Sequence, residues 1–240
     1  MSVTVSRLLA ATWTLFRRER GLLVAAGAPF LFLPPFAVQL LIDGPPMPFA
    51  ATQEWMDKAA AWAGANIGWY LLADVVVLYG MGLLALLLAA PERPNVAQAL
   101  TRALRLLPRF LLAGMLVAMA VGAGMYLLIL PGLYLQARLA LVPLLIASEP
   151  LSATGAIGES WRRTARIAWP LLGAVVALFA LQWLGAAILV PLDSWLRQPS
   201  HSNPFVLALV DGGLAAVLSG YRLGLLLLGA IIWRGLSRGT

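Results

Sequence analysis

Apolar residues run almost uninterrupted through six stretches: Gly21 to Ile42, Ile67 to Ala90, Phe110 to Leu130, Leu133 to Ser148, Ala168 to Leu192 and Phe205 to Trp233. A helix needs about 20 apolar residues to cross a hydrocarbon core about 30 Å thick, and all but the fourth stretch reach that length. The fourth has 16 residues. It follows the third through Pro131-Gly132, a pair that ends one helix and reverses the chain, so the two predict a tight hairpin. The pattern predicts an all-α integral membrane fold, one membrane domain over residues 1–240. Its six transmembrane helices would form three hairpins.

The polar positions between these runs carry a second pattern. Val96, Leu100, Ala103, Leu104 and Leu107 recur on one helical face while Gln98, Arg102, Arg105 and Arg109 occupy the other, the spacing of an amphipathic helix. Val5, Leu8, Leu9, Thr12 and Phe16 repeat it near the start, and Ile157, Trp161, Thr164 and Ala168 ahead of the fifth run. Such helices lie in the interface with arginines toward anionic headgroups. The chain thus reads as three pseudo-repeats, 3–90, 94–148 and 151–235, each an interfacial amphipathic helix followed by a hairpin. Between the first two spans, after Pro45, Pro46 and Pro48, the residues Trp55, Met56, Ala59 and Trp62 at helical spacing predict a separate surface helix on the other interface.

Composition agrees: 61% of the 240 residues are hydrophobic and 11% charged, with mean hydropathy +0.87, which excludes an ordinary soluble domain. The net charge of +7 is distributed as a topology signal, so the chemistry does not point to nucleic acid. Thirteen basic residues, Arg7, Arg17, Arg18, Arg20, Arg93, Arg102, Arg105, Arg109, Arg162, Arg163, Arg166, Arg234 and Arg238, fall on one side of the predicted spans, against Lys58 and Arg197 on the other. The positive-inside rule then predicts cytoplasmic termini. The basic cluster at Arg17 to Arg20 comes late and the run behind it is span-length, so the first span is expected to be retained rather than cleaved.

Four ionisable residues fall inside spans: Asp74, Arg138, Asp211 and Arg222. Each costs about 2.5 to 3.5 kcal/mol at a helix centre and needs a partner or a polar cavity. Counting inward places Asp74, Arg138 and Asp211 at similar depth in the outer half. They predict an intramembrane polar cluster around Arg138. That cluster is open to two explanations, a ligand site or an ion pair from Arg138 to Asp74 or Asp211 that holds the bundle together. Pro34 and Pro35, mid-span, remove two backbone donors and predict a broken or kinked first helix, either as part of a site or as a bent scaffold. Gly114, Ala118 and Gly122 recur every four residues, and Gly220 and Gly224 flank Arg222, spacing that permits close helix packing.

Soluble-style chemistry is absent from the sequence. There is no cysteine, no metal-ligand spacing and no phosphate-binding loop. The one histidine, His201, sits in the segment from Asp193 to Pro204 and is expected to be solvated. No catalytic residue, cofactor or metal is predicted.

The segment Leu130-Pro-Gly-Leu-Tyr-Leu-Gln-Ala-Arg-Leu to Glu149, followed by Ala156 to Arg166 with its Ser-Trp-Arg, resembles the membrane domain fused to some glycerophosphoryl diester phosphodiesterases. It also resembles the related bacterial inner-membrane proteins of the YciC type. The resemblance implies a six-span inner-membrane protein with Pro131, Gly132, Arg138, Glu149, Ser160 and Trp161 as motif positions. It does not carry over phosphodiesterase activity, which belongs to a separate soluble barrel. Together these features predict a non-enzymatic protein in a transport, lipid-handling or membrane-assembly role. The alternative is an accessory or scaffold subunit of a larger membrane complex. The expected partners are the bilayer, anionic headgroups and other membrane proteins.

Overall fold

In the computed structural model the described residues are 4–42, 44, 52–90, 92, 94–198, 200 and 203–237. Pro45, Pro46, Pro48, Arg93, His201 and Arg238 lie outside them. Within them the chain is helical, with no strand. In chain order the elements are α1 (Val5–Gly27), a π turn (Ala28–Phe32), α2 (Leu33–Leu41), α3 (Gln53–Ala89) and α4 (Val96–Leu127). There follow α5 (Ile129–Arg138), α6 (Val142–Ser148), α7 (Ala153–Thr164), a 3-10 turn (Ala165–Ile167), α8 (Ala168–Leu196) and α9 (Pro204–Ser237). Six stretches are long and apolar enough to cross a membrane, which fits a polytopic membrane protein in contact with lipid.

Several predicted boundaries move. The basic segments and the spans behind them are continuous: α1 runs through Arg17, Arg18 and Arg20, and α4 runs through Pro108 without a break. Trp55 to Trp62 is likewise the first part of the 37-residue α3, not a separate surface helix. The expected face of the second basic segment is rotated, because Ala99, Ala103 and Phe110 are buried while Val96 and Leu104 are exposed. Ala99 and Ala103 let α4 approach its neighbours there, while Val96 and Leu104 are left outside.

The turn between the third and fourth spans is one extended residue, Leu128, and Pro131-Gly132 lies in the first turn of α5. Proline is tolerated at a helix start, where its missing N–H has no helical acceptor. Gly132 has a packing role: a Cβ there would stand 2.6 Å from the Met125 nitrogen, and one on Gly124 would stand 2.9 Å from the Gly132 Cα. The two glycines let α4 and α5 cross nearly backbone to backbone.

Prolines interrupt two helices, and in both a hydroxyl from a neighbour repairs the damage. Pro35 cannot donate to Leu31, and the turn ahead of it widens to a π turn in which Leu33 N–H reaches back to the Ala28 carbonyl. The Leu31 oxygen left over accepts from Ser219 Oγ of α9 at 2.7 Å. The double proline therefore widens the helix rather than breaking it. Pro143 interrupts the fourth span in the same way: Val142 N–H turns to Leu139 O at 3.1 Å, which strands the Arg138 carbonyl. Ser160 Oγ donates to that carbonyl at 2.8 Å and accepts Leu141 N–H at 3.3 Å, and Thr164 Oγ1 adds a contact at 3.1 Å. Within a membrane such orphaned groups are tolerated only when protein satisfies them.

One end of the bundle is tight. Val5 of α1 packs on Gly173 of α8, Arg234 of α9 reaches the Leu88 carbonyl of α3, and Tyr79 Oη of α3 donates to the Leu100 carbonyl of α4. All the basic segments therefore meet at this basic end. Short α6 sits at its centre with Val142, Leu144, Leu145, Ile146 and Ala147 buried, surrounded by Leu83 to Leu86 of α3 and Leu226 to Leu228 of α9. Gly229 of α9 fits against the break between α5 and α6, where a Cβ would stand 2.6 Å from the Ala140 oxygen. At the far end Tyr126, Leu127 and Leu130 of the α4–α5 turn and Trp183, Leu184 and Ile188 of α8 are exposed.

Candidate functional site

The four ionisable residues predicted as one cluster occupy three places. Arg138 stands apart from the others. It ends α5 and is only 5% exposed, and no carboxylate among the described residues pairs with it. Its Nη2 donates to the Trp161 carbonyl. Its guanidinium carbon lies 4.2 Å from the Trp161 ring centre and 5.8 Å from that of Tyr134. Nε is buried without a partner. A desolvated cation–π contact is worth about 2 kcal/mol or more, so an aromatic face and a carbonyl stand where a counter-ion was expected. The ion pair to Asp74 or Asp211, one of the two explanations the sequence left open, does not form, because Arg138 faces α7 at the basic end rather than the outer half of the bundle.

Four of the six motif positions meet at this joint. Beside Arg138, Ser160 and Trp161, Glu149 accepts two bonds from Arg163, at 2.8 and 3.0 Å. Arg163 also bonds Glu159 and lies 5.2 Å from the ring centre of Trp233 in α9. Arg138 and Glu149 are eleven residues apart, about 16 Å in a straight helix, yet both meet the last turn of α7. The break at Leu139 to Leu141 brings them together. Glu159 lies ahead of the apolar part of α8. Hydrogen bonds from Arg162 and then Arg163 hold its carboxyl down to about 2.

Asp211 belongs to a second cluster, at the far end. Arg197 Nη2 reaches Asp211 Oδ1 at 3.1 Å and the Gln39 carbonyl at 2.8 Å, and its Nε reaches Asp193 at 3.0 Å. Arg197 thereby ties the ends of α2, α8 and α9. Asp211 is fully buried, and its Oδ2 lacks a hydrogen-bond donor.

Asp74 and Arg222 form the third place. Arg222 Nη2 donates to Asp74 Oδ1 at 2.9 Å, with the Asp74 side chain 59% exposed and that of Arg222 28% exposed. The second Asp74 oxygen and the other guanidinium N–H groups have no partner among the described residues. The pair borders a cleft of about 140 Å³ between α2, α3 and α9, lined also by Gln39, Tyr70, Val77 and Leu218. Gln39 touches both of the last two places: its backbone carbonyl binds Arg197, and the residue lines the cleft. Its Oε1 is buried without a donor.

Compared with known proteins, the chain matches no family model and no solved structure.

Sequence reasoning missed Arg197, Gln39, Tyr70 and Thr164. Arg197 carried a usable signal, since Asp193 lies four residues before it, the spacing of a helical ion pair. Thr164 also had one, four residues after Ser160 on the same helix face. Nothing in the sequence marks Gln39 or Tyr70 as neighbours.

Proposed function

We propose that this chain is a non-enzymatic, six-span protein of the bacterial inner membrane that handles lipid, taking a polar headgroup into the cleft between α2, α3 and α9. The observation that carries this reading is the Asp74–Arg222 pair, half-open and with unused bonding capacity, beside a cleft. A charge pair that served only to join helices would be enclosed, since each exposed charge in hydrocarbon costs about 2.5 to 3.5 kcal/mol.

Depth supports it. Along α9, Arg222 lies twelve residues before Arg234, about 18 Å, and Asp211 lies twenty-three before it, about 34 Å. With Arg234 at one interface and a hydrocarbon core of about 30 Å, the cleft opens inside the membrane and the Arg197 cluster sits at the far boundary. The arginine-rich end then faces the cytoplasm with both termini, and three hairpins follow three basic segments whose exposed arginines meet anionic headgroups. A site for a lipid is reached sideways from the bilayer, as the exposure of Asp74 allows.

The test is lipid retention by the full chain, purified in mild detergent and weighed by native mass spectrometry. At least one phospholipid should remain bound, and Asp74→Asn with Arg222→Gln should weaken its retention about tenfold, a change of roughly 1.4 kcal/mol. Unchanged retention in a folded double variant would remove the reading.

A second reading, an accessory or scaffold subunit, is favoured by Ala118 and Gly122, which lie exposed on α4; Gly122 has nothing within 4 Å of the place its Cβ would take. The same mass measurement rejects it if the chain leaves its native membrane only as a monomer of 25.6 kDa.

A further inference from the structure

The cleft holds one fixed cation and one fixed anion, each with bonds to spare. Arg222 offers the N–H groups left over from its single bond to Asp74. Against it stands the second oxygen of Asp74, on a side chain that is more than half exposed. A charge within hydrocarbon needs a partner, so the cleft calls for a ligand that brings N–H groups as well as an anion.

We infer that the cleft selects a zwitterionic headgroup in which a primary ammonium stands close to a phosphate, as in phosphatidylethanolamine; this rests on the reading of the cleft as a lipid site. The phosphate meets Arg222, whose planar fork suits oxyanions. The ammonium, with three donors, meets Asp74. Ligand and protein charges then alternate, and the buried complex is neutral. A trimethylammonium group has no N–H to give Asp74, and it is recognised by cages of several aromatic faces, whereas Tyr70 is the one aromatic residue among the described residues that line the cleft. A glycerol headgroup brings the phosphate without a cation, which leaves Asp74 facing a like charge. The volume of about 140 Å³ admits a headgroup, and the acyl chains remain outside, along the exposed Leu71 and Leu72 of α3.

The experiment titrates the delipidated full chain with phosphatidylethanolamine, phosphatidylcholine and phosphatidylglycerol of identical acyl chains, read by native mass spectrometry, with soluble phosphoethanolamine as competitor. The expected result is a preference of about tenfold for phosphatidylethanolamine over both others. In addition, Asp74→Asn should abolish its advantage over phosphatidylglycerol. Equal or tighter binding of either competitor lipid, lost in the Asp74→Asn, Arg222→Gln double variant, would overturn the headgroup assignment and leave the cleft as a lipid site. Binding that ignores the double variant would overturn both. Displacement of the lipid by equimolar phosphoethanolamine would overturn a lipid as the source of the zwitterion. The wild-type ranking of the three lipids decides the headgroup question even if a variant fails to fold.

Discussion

Arg138 and Arg222 both lie in apolar helices, and their surroundings are opposite. Arg138 is sealed at the tight basic end, with a carbonyl, two aromatic faces and no carboxylate. Arg222 holds a carboxylate, and that carboxylate is more than half exposed. Around Arg138 the end of α5 and the start of α6 are tied to α7 by Ser160 and Thr164. Around Arg222 nothing but one ion bond crosses from α9 to the Asp74 side chain. On the proposed reading, spare bonding capacity beside a cavity, and not burial of a charge, marks the place where a ligand enters. The sequence drew attention first to Arg138, and the structure redirects it to Arg222.

Three measurements test this contrast. The largest effect belongs to the joint. Ser160→Ala with Thr164→Val strips the Arg138 carbonyl and the Leu141 N–H of their side-chain partners, and each buried group left unsatisfied costs about 1 to 3 kcal/mol. The melting temperature in detergent, followed by circular dichroism, should fall steeply or the protein should fail to accumulate. A double variant as stable as wild type would show that the joint is not what holds α7. An intermediate result is expected at the cleft. Asp74→Asn with Arg222→Gln should cost no more than about 1 kcal/mol of stability, since polar contacts between helices in a membrane average about 0.6 kcal/mol, so melting stays near wild type while lipid is lost. A collapse of stability there would make the pair structural and erase the contrast.

The smallest effect depends on pH. Glu159 has a folded value of about 2 against an ordinary 4.5. A depressed carboxylate stabilises fully above its unfolded value and loses that contribution as pH falls through the folded one. The melting difference between wild type and Glu159→Gln should therefore be constant from about pH 7 to about pH 5 and close as the solution is acidified further. A difference that persists unchanged to the acid limit would mean that Glu159 acts by packing and not by charge.

The six spans were legible because each is a long apolar run, which needs no knowledge of neighbours. Arg138, Glu149, Ser160 and Trp161 were named only as motif positions in order along the chain; that they meet, around the break at Pro143, appears once the helices are placed. The partners of the charged residues were not legible. Depth along a span can be counted, but rotation about the helix axis and bends at proline decide which side chains face each other. Arg197 illustrates this: it was counted as a loop charge, yet α8 continues to Leu196 and carries it to the buried Asp211. Leu104 illustrates the converse, a residue assigned to an apolar face that points outward because the smaller Ala99 and Ala103 win the contact.

The π turn at Ala28 to Phe32 fixes the phase between the two halves of the first span. A turn with one extra residue offsets everything beyond it by about 100° relative to a continuous α-helix. With that offset, Pro35, Val38 and Gln39 face α3 and α9. Deleting one residue from the turn would swing them away by the same angle, and the cleft would lose a wall while Asp74 and Arg222 kept their places.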